Sequence, residues 1–283
     1  MIDETVEQIE EMQTHSSSVV AVRAARALQS LTDREFPAVE EYLRSLERNS
    51  NALRRANPSH ASLHTTQRQI VQRVTDADPD SVEDAQHETH VAIEEVVEQV
   101  ETAKLSAAKR CADQIADHDV LLTHDYSSTV LSAIRLATEQ GSEFEVYVTE
   151  ARPRFLGRRM TRKLAEIDAV DTHHIVDSAA GHYLSACERV LVGMDCVVDD
   201  VLYNRVGTYP IAATANDVGV PVSVVGSAAK LIEGGFAFEN EFRSTAEVMR
   251  EPADNFTIDN PAYDATPMRL VDSVITDESL VEY

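Results

Sequence analysis

The apolar positions of this chain change their spacing once. From Ile2 to about Ala116 they recur at helical intervals, as in Ile93, Val96, Val97, Val100 and Ala103, which share one face of a helix beginning near Ser81. Pro58 and the Asp-Pro-Asp at Asp78 to Asp80 interrupt the pattern, so the region reads as about five helices. From Asp119 onward short apolar runs alternate with helical segments: Val120-Leu121-Leu122, Glu145-Val146-Tyr147-Val148, His174-Ile175-Val176, Val190-Leu191-Val192 and Val222-Ser223-Val224-Val225. Strands separated by helices of that length predict a mainly parallel, doubly wound sheet. The expected fold is α/β: an N-terminal helical domain, residues 1–116, followed by a Rossmann-like domain, residues 117–283, with the site in the cleft between them.

Length adds little, since 283 residues suit one large or two modest domains. Charge adds more: 49 acidic residues against 25 basic ones leave a net charge of −24. Such a surface repels nucleic acid and anionic membranes, so neither is an expected partner. The acids are spread through periodic segments and form no tail, which fits a chain adapted to molar salt, where a Debye length of ~3 Å screens self-repulsion. No apolar run approaches the ~20 residues needed to span a bilayer, and no signal-like apolar region opens the chain, so the expected location is the cytoplasm.

Cys111, Cys187 and Cys196 form no CxxC spacing and make an odd count, against both a disulfide framework and a zinc site. His60 with His64, and His87 with His90, each place two imidazoles on one helical face but lack a third ligand, so no metal is expected. Neither GxGxxG nor GxxxxGKS occurs, and no nucleotide cofactor is expected.

Candidate chemistry gathers where strands should end. In Asp195 to Tyr209, DCVVDDVLYNRVGTY, an apolar run is followed by a carboxylate, an Asn204-Arg205 pair and a Gly207-Thr208 helix start. Strand carboxyl ends in open parallel sheets face the ligand crevice, and the N–H groups of a following helix favour phosphate. After the first strand, Ser127 and Ser128 offer hydroxyls that could receive a phosphate or merely cap a helix. After the second, Arg152, Arg158 and Arg159 carry forked donors suited to phosphate, unless they are solvated surface charges. Lys230 completes the set of ligand-binding candidates with Asn204 and Arg205.

Three segments, Thr149 to Thr161 (TEARPRFLGRRMT), Asp195 to Tyr209 and Asn260 to Pro267 (NPAYDATP), carry a family resemblance in order and spacing. They resemble the ExRPxxxGxxxT, GxDxxxxxxxxNKxGT and NPxFDxTP patterns of the superfamily of ribose-1,5-bisphosphate isomerase, methylthioribose-1-phosphate isomerase and the regulatory subunits of translation initiation factor 2B. The resemblance implies a homodimer or higher assembly and, in the isomerases, an acid–base pair of a cysteine at the position of Asp125 and an aspartate at that of Asp195. The isomerases, however, have cysteine where Asp125 stands and usually lysine where Arg205 stands. Their basic motif near the start is matched here by His15-Ser16-Ser17-Ser18, and the arginine of a second motif by Asn57, with Arg55 close by. The Thr123 to Ser127 form resembles the regulatory subunits instead.

The leading expectation is therefore a non-catalytic regulatory and assembly protein with a weakened sugar-phosphate or nucleotide-phosphate pocket. Its expected partners are copies of itself, a phosphorylated small molecule and an initiation factor. The alternative is a sugar-phosphate aldose–ketose isomerase in which Asp125 and Asp195 share a proton as acid and base, although paired strand-end aspartates also serve structurally. A third is an oligomerisation module with a vestigial pocket.

Overall fold

The computed structural model describes residues 2–10, 17–232, 238–251 and 255–283. His15 and Ser16 lie outside them. Packing divides the chain into two units, Met1–Thr102 and Ala103–Tyr283.

The first unit is helical: α1 (Ile2–Glu10), α2 (Ser17–Ala27), α3 (Val39–Ala56), α4 (Ala61–Asp76) and the first part of α5 (Val82–Ala112). The unit boundary falls inside α5, whereas the sequence pattern put it at residue 116, just past the helix end. In α3 the buried positions Tyr42, Leu46, Ser50 and Leu53 recur at steps of three or four, with Ser45 beside Leu46, which places them on one face. Glu40 and Glu41 in its first turn and Arg54 and Arg55 in its last suit the helix dipole. That face joins Leu28, Leu31, Leu63, Ile70 and Ile93 in one core. Each such leucine or isoleucine contributes about 1.5–3 kcal/mol by leaving water. Past Pro58, His60 caps α4 by accepting the Leu63 N–H at its Nδ1, 3.3 Å away.

The second unit alternates strands and helices. In order they are β1 (Val120–Thr123), α6 (Ser128–Glu139), β2 (Phe144–Thr149), α7 (Gly157–Leu164), β3 (Val170–Ile175), α8 (Ala180–Tyr183) and β4 (Arg189–Gly193). The hairpin β5 (Cys196–Val198) and β6 (Val201–Arg205) follows, then α9 (Thr208–Val218), β7 (Val222–Val225), β8 (Leu231–Ile232), β9 (Tyr263–Pro267), β10 (Ser273–Ile275) and β11 (Leu280–Glu282). Seven strands form a sheet in the order β11-β10-β7-β4-β1-β2-β3, parallel except for β11 against β10. Four of the five strand-like runs of the sequence lie wholly in it; the fifth, His174 to Val176, covers only the last two residues of β3 and runs one past its end.

Successive residues of the central strands feed opposite faces. Leu121, Leu191 and Val225 pack with Ile134 of α6 and Met160 of α7, while Leu122, Val190, Val192 and Val224 pack with Ile211 and Ala215 of α9. Covered on both faces, the sheet needs nearly continuous apolar runs, and it has them. The chain moves outward from β1 to β2 and β3, then returns to the far side of β1 as β4. That reversal between β1 and β4 is where doubly wound sheets open a crevice at their carboxyl ends.

A second sheet, β8-β5-β6-β9, was not anticipated. The run from Asp195 to Tyr209, whose sequence suggests one strand end entering a helix, contains a hairpin between the two. Val198 pairs with Val201, so Asp199-Asp200 is a two-residue turn, and both residues take positive φ, 49° and 60°. Such primed turns match the twist of the flanking strands, and Asp tolerates the left-handed region.

Candidate functional site

The two candidate catalytic aspartates follow the two strands that flank the sheet reversal. Thr123 pairs with Leu191, so continuing the register sets Asp125 opposite Gly193, with Asp195 two residues further along. Asp125 is buried at φ 62°, a conformation Asp enters more readily than most residues. Its Oδ2 lies 3.4 Å from the Arg205 Nε. Half-buried Asp195 is anchored by its N–H to the Tyr203 carbonyl, 3.0 Å. The two carboxylates make no hydrogen bond to each other.

Arg205 is the electrostatic centre of this cluster. It ends β6, is only 9% exposed, and its guanidinium lies over the Tyr263 ring, 4.7 Å from the centroid. Burial opposes its charge, but Tyr263, Asp195, Asp125 and Glu241 outweigh that and raise its pKa. Its Nη1 is buried with no hydrogen-bond partner among the described residues. A buried guanidinium with an unused donor is costly, and an anion would satisfy it. Lys230, also buried, donates to the Met194 carbonyl at 2.7 Å; burial lowers its pKa, and Asp195 works against that.

Carboxylates and one histidine hold the strand-end loops. The Asp177 oxygens accept the N–H groups of Ala151 and Arg152, both at 2.7 Å. Asp264 Oδ2, carried in on β9, accepts the N–H of Gly207 at 2.7 Å and of Tyr209 at 3.0 Å, and so caps α9 from outside the helix. Buried His124 lies 2.9 Å by Nε2 from the Val206 carbonyl and 2.7 Å by Nδ1 from Thr149 Oγ1. A carbonyl only accepts, so Nε2 carries a proton and ties β1 to the loop after Arg205. Asp177 lies 4.0 Å from Nδ1, beyond hydrogen-bond reach.

Two motif glycines follow from the same crowding. A Cβ on Gly207, at φ 108°, would lie 2.5 Å from the His124 ring, and one on Gly157 would lie 1.8 Å from the Thr149 carbonyl oxygen. The sequence assigns no role to His124, Asp177 or Asp264, although His124 lies in the Thr123 to Ser127 form and Asp264 in NPAYDATP; Asp177 lies in neither motif.

The remaining candidates separate. Ser127 caps α6, its Oγ accepting the Val130 N–H, and Ser128 opens that helix, its carbonyl taking the Ser132 hydroxyl. Asn204 is buried and donates to Thr208 Oγ1 at 3.0 Å, fixing the start of α9. Arg152 reaches the Val248 carbonyl, 3.3 Å. Arg158 is turned to solvent, bound to Glu150 at 3.3 Å and stacked on Phe155. Arg159 lies over Tyr126. Asp125, Arg152 and Arg205 share a narrow pocket, and Arg154 and Arg243, which are not among the sequence candidates, line it with them. Ser127, Ser128, Asn204, Lys230, Asp195 and Arg158 do not line it.

The model of the initiation factor 2 subunit family matches residues 13–282. A ribose 1,5-bisphosphate isomerase of Haloferax volcanii is 32% identical across 96% of this chain and 86% of its own. The corresponding enzyme of Thermococcus kodakarensis is 29% identical, across 98% and 90%. The crystal structure of a Pyrococcus horikoshii translation initiation factor eIF-2B superposes with a TM-score of 0.84 at 26% identity, covering 99% of this chain and 96% of that one. These relatives correct the leading functional expectation. Six proteins 28–32% identical over nearly the whole chain bear the isomerase name, which overturns a non-catalytic regulator and favours the isomerase alternative. Among the described residues no helix is long and apolar enough to cross a membrane.

Proposed function

Because the chain belongs to the initiation factor 2 subunit family, whose members include proteins named as isomerases, we propose that it interconverts the aldose and ketose forms of a phosphorylated ribose, with ribose 1,5-bisphosphate as the first substrate to try. The observation that carries this reading is the pair of carboxylates, Asp125 and Asp195, at the carboxyl ends of the two strands flanking the sheet reversal, with buried Arg205 in the field of both. Aldose–ketose interconversion moves one hydrogen between adjacent carbons and redistributes electrons within the sugar, so no redox partner is consumed. Two carboxylates supply what it needs: one accepts a proton as the other returns one. Arg205 offers its unused Nη1 to a substrate oxygen while its Nε faces Asp125. Lys230 and Asn204 hold the backbone around Asp195 and the start of α9.

The protein works in this reading as a homo-oligomer of a halophilic cytoplasm, its acidic surface screened by molar salt. The test is ketose formation from ribose 1,5-bisphosphate, followed by NMR in molar KCl. Turnover that disappears in Asp195→Asn supports the proposal. No turnover of ribose 1,5-bisphosphate or methylthioribose 1-phosphate by folded protein would overturn it.

A further inference from the structure

Asp125 and Arg205 belong to different sheets. Asp125 follows β1 of the seven-stranded sheet, Arg205 ends β6 of the four-stranded one, and among the described residues the two sheets share no strand. No common hydrogen-bond ladder therefore sets their separation. Their chain neighbours are joined instead: His124, one residue before Asp125, lies 2.9 Å by Nε2 from the carbonyl of Val206, one residue after Arg205. The link continues beyond that bond. The Val206 carbonyl and the Gly207 N–H are the two ends of one planar peptide group, and Asp264 Oδ2 accepts that N–H at 2.7 Å. With Nε2 protonated and the ring neutral, Nδ1 is an acceptor, so the hydroxyl of Thr149, fully buried at the end of β2, donates to it at 2.7 Å. Thr149, His124, the 206–207 peptide and Asp264 thus form a chain in which each group donates to the next and the last is a carboxylate. Bonds in such a chain polarise and strengthen one another. The imidazole also rests where a side chain on residue 207 would stand, so glycine there is what admits the ring.

We propose that His124 is a positioning residue: through the 206–207 peptide it holds Arg205 against Asp125 and carries the anchorage of Asp264 back to the main sheet. Without the Val206 bond the peptide is free to rotate, because Gly207 tolerates either sign of φ, and rotation draws the end of β6 away from Asp125. The part this plays in turnover rests on the isomerase reading, but the linkage itself does not.

The test compares His124→Gln, whose longer amide still donates to Val206, with His124→Asn, which reaches Thr149 but stops short of Val206. Two readouts are taken in molar KCl: the Gly207 amide proton, by NMR of protein labelled at glycine, and turnover of ribose 1,5-bisphosphate. In His124→Asn the Gly207 proton should move upfield, although residue 124 does not touch that N–H, while the amide of Gly141, ahead of β2 at the opposite end of the sheet, stays in place. In the same variant kcat/KM should fall by about tenfold or more, and His124→Gln should restore most of both signals. Should His124→Asn fail to fold, Thr149→Val decides, since it keeps the ring and removes the hydroxyl that donates to it; the Gly207 proton should move the same way by less. A Gly207 proton unmoved in these variants, or equal turnover by His124→Asn and His124→Gln, overturns the inference. If the proton responds as stated and native protein turns over no sugar phosphate, the linkage stands and the isomerase reading falls. If native protein turns over substrate and the proton does not respond, the reverse holds.

Discussion

Removing the Asp264 carboxylate should loosen the site from a distance. Asp264→Ala deletes the one oxygen that accepts both the Gly207 and Tyr209 N–H groups. A hydrogen bond to a charged acceptor is worth about 1.5–3 kcal/mol. The Gly207 bond is short and half-buried and takes a middle value; the Tyr209 bond is exposed and falls at or below the lower end. Capping replacements elsewhere cost about 0.5–2 kcal/mol, so a loss near 3 kcal/mol is expected for two orphaned donors at one helix start. Asp264→Asn keeps an acceptor oxygen without its charge and should lose about half as much. Urea unfolding in molar KCl, followed by circular dichroism, reads both variants. The same substitution frees the loop between Arg205 and α9, so it should also raise KM for a phosphorylated sugar. A loss below about 0.5 kcal/mol in Asp264→Ala would refute the view that this clamp holds the loop.

Lowering KCl well below molar should unfold the protein, because a net charge of −24 repels itself as the screening length grows; circular dichroism unchanged after dialysis would refute it. Burial, followed by the nearby Arg54 charge, lowers the His64 pKa from 6.5, so the unfolded chain binds the proton more readily. Stability should be intact above pH 6.5 and decline as pH falls toward the folded-state value, and His64→Gln should flatten that slope; an unaltered slope would exclude His64 as its source. Asp125→Cys and Arg205→Lys should each destabilise, and the double variant should lose less than their sum by at least about 0.5–1 kcal/mol; strict additivity would show the pair uncoupled.

What could be read from sequence depended on how local its cause was. The runs in β1, β2, β4 and β7 became strands of the main sheet because an inner strand covered on both faces is largely apolar, whereas edge strand β3, VDTHHI, is mostly polar and only its end was legible. The second sheet left none. Its strands β5 and β6 are short, and Asp199-Asp200 turns them without the Asn-Gly or Asp-Gly that marks such a hairpin. Sequence also located Arg205 and Asp125 but not their ion pair, since the two are brought together only when β6 returns beside the end of β1. Arg154 sits inside a recognised motif, but the sequence does not show that it lines one pocket with Arg243, far along the chain. The carboxylate clamps show the same limit: Asp177 and Asp264 act on loops 25 to 57 residues away.

Two of the departures from the isomerase pattern, Asp125 and Arg205, explain each other physically. A thiol can be buried uncharged at the end of β1, whereas a carboxylate there must be compensated. Lysine at the end of β6 would be a point charge, able to neutralise Asp125 or reach a ligand but poorly suited to both. Arginine divides the work: its Nε faces Asp125 at 3.4 Å while Nη1 remains without a partner. The carboxylate at 125 and the guanidinium at 205 therefore form a coupled substitution that keeps the cluster balanced and leaves a donor for an incoming anion. Loss of the thiol alone is then no sign of a dead site, because the electrostatics around it have been rebuilt and not abandoned.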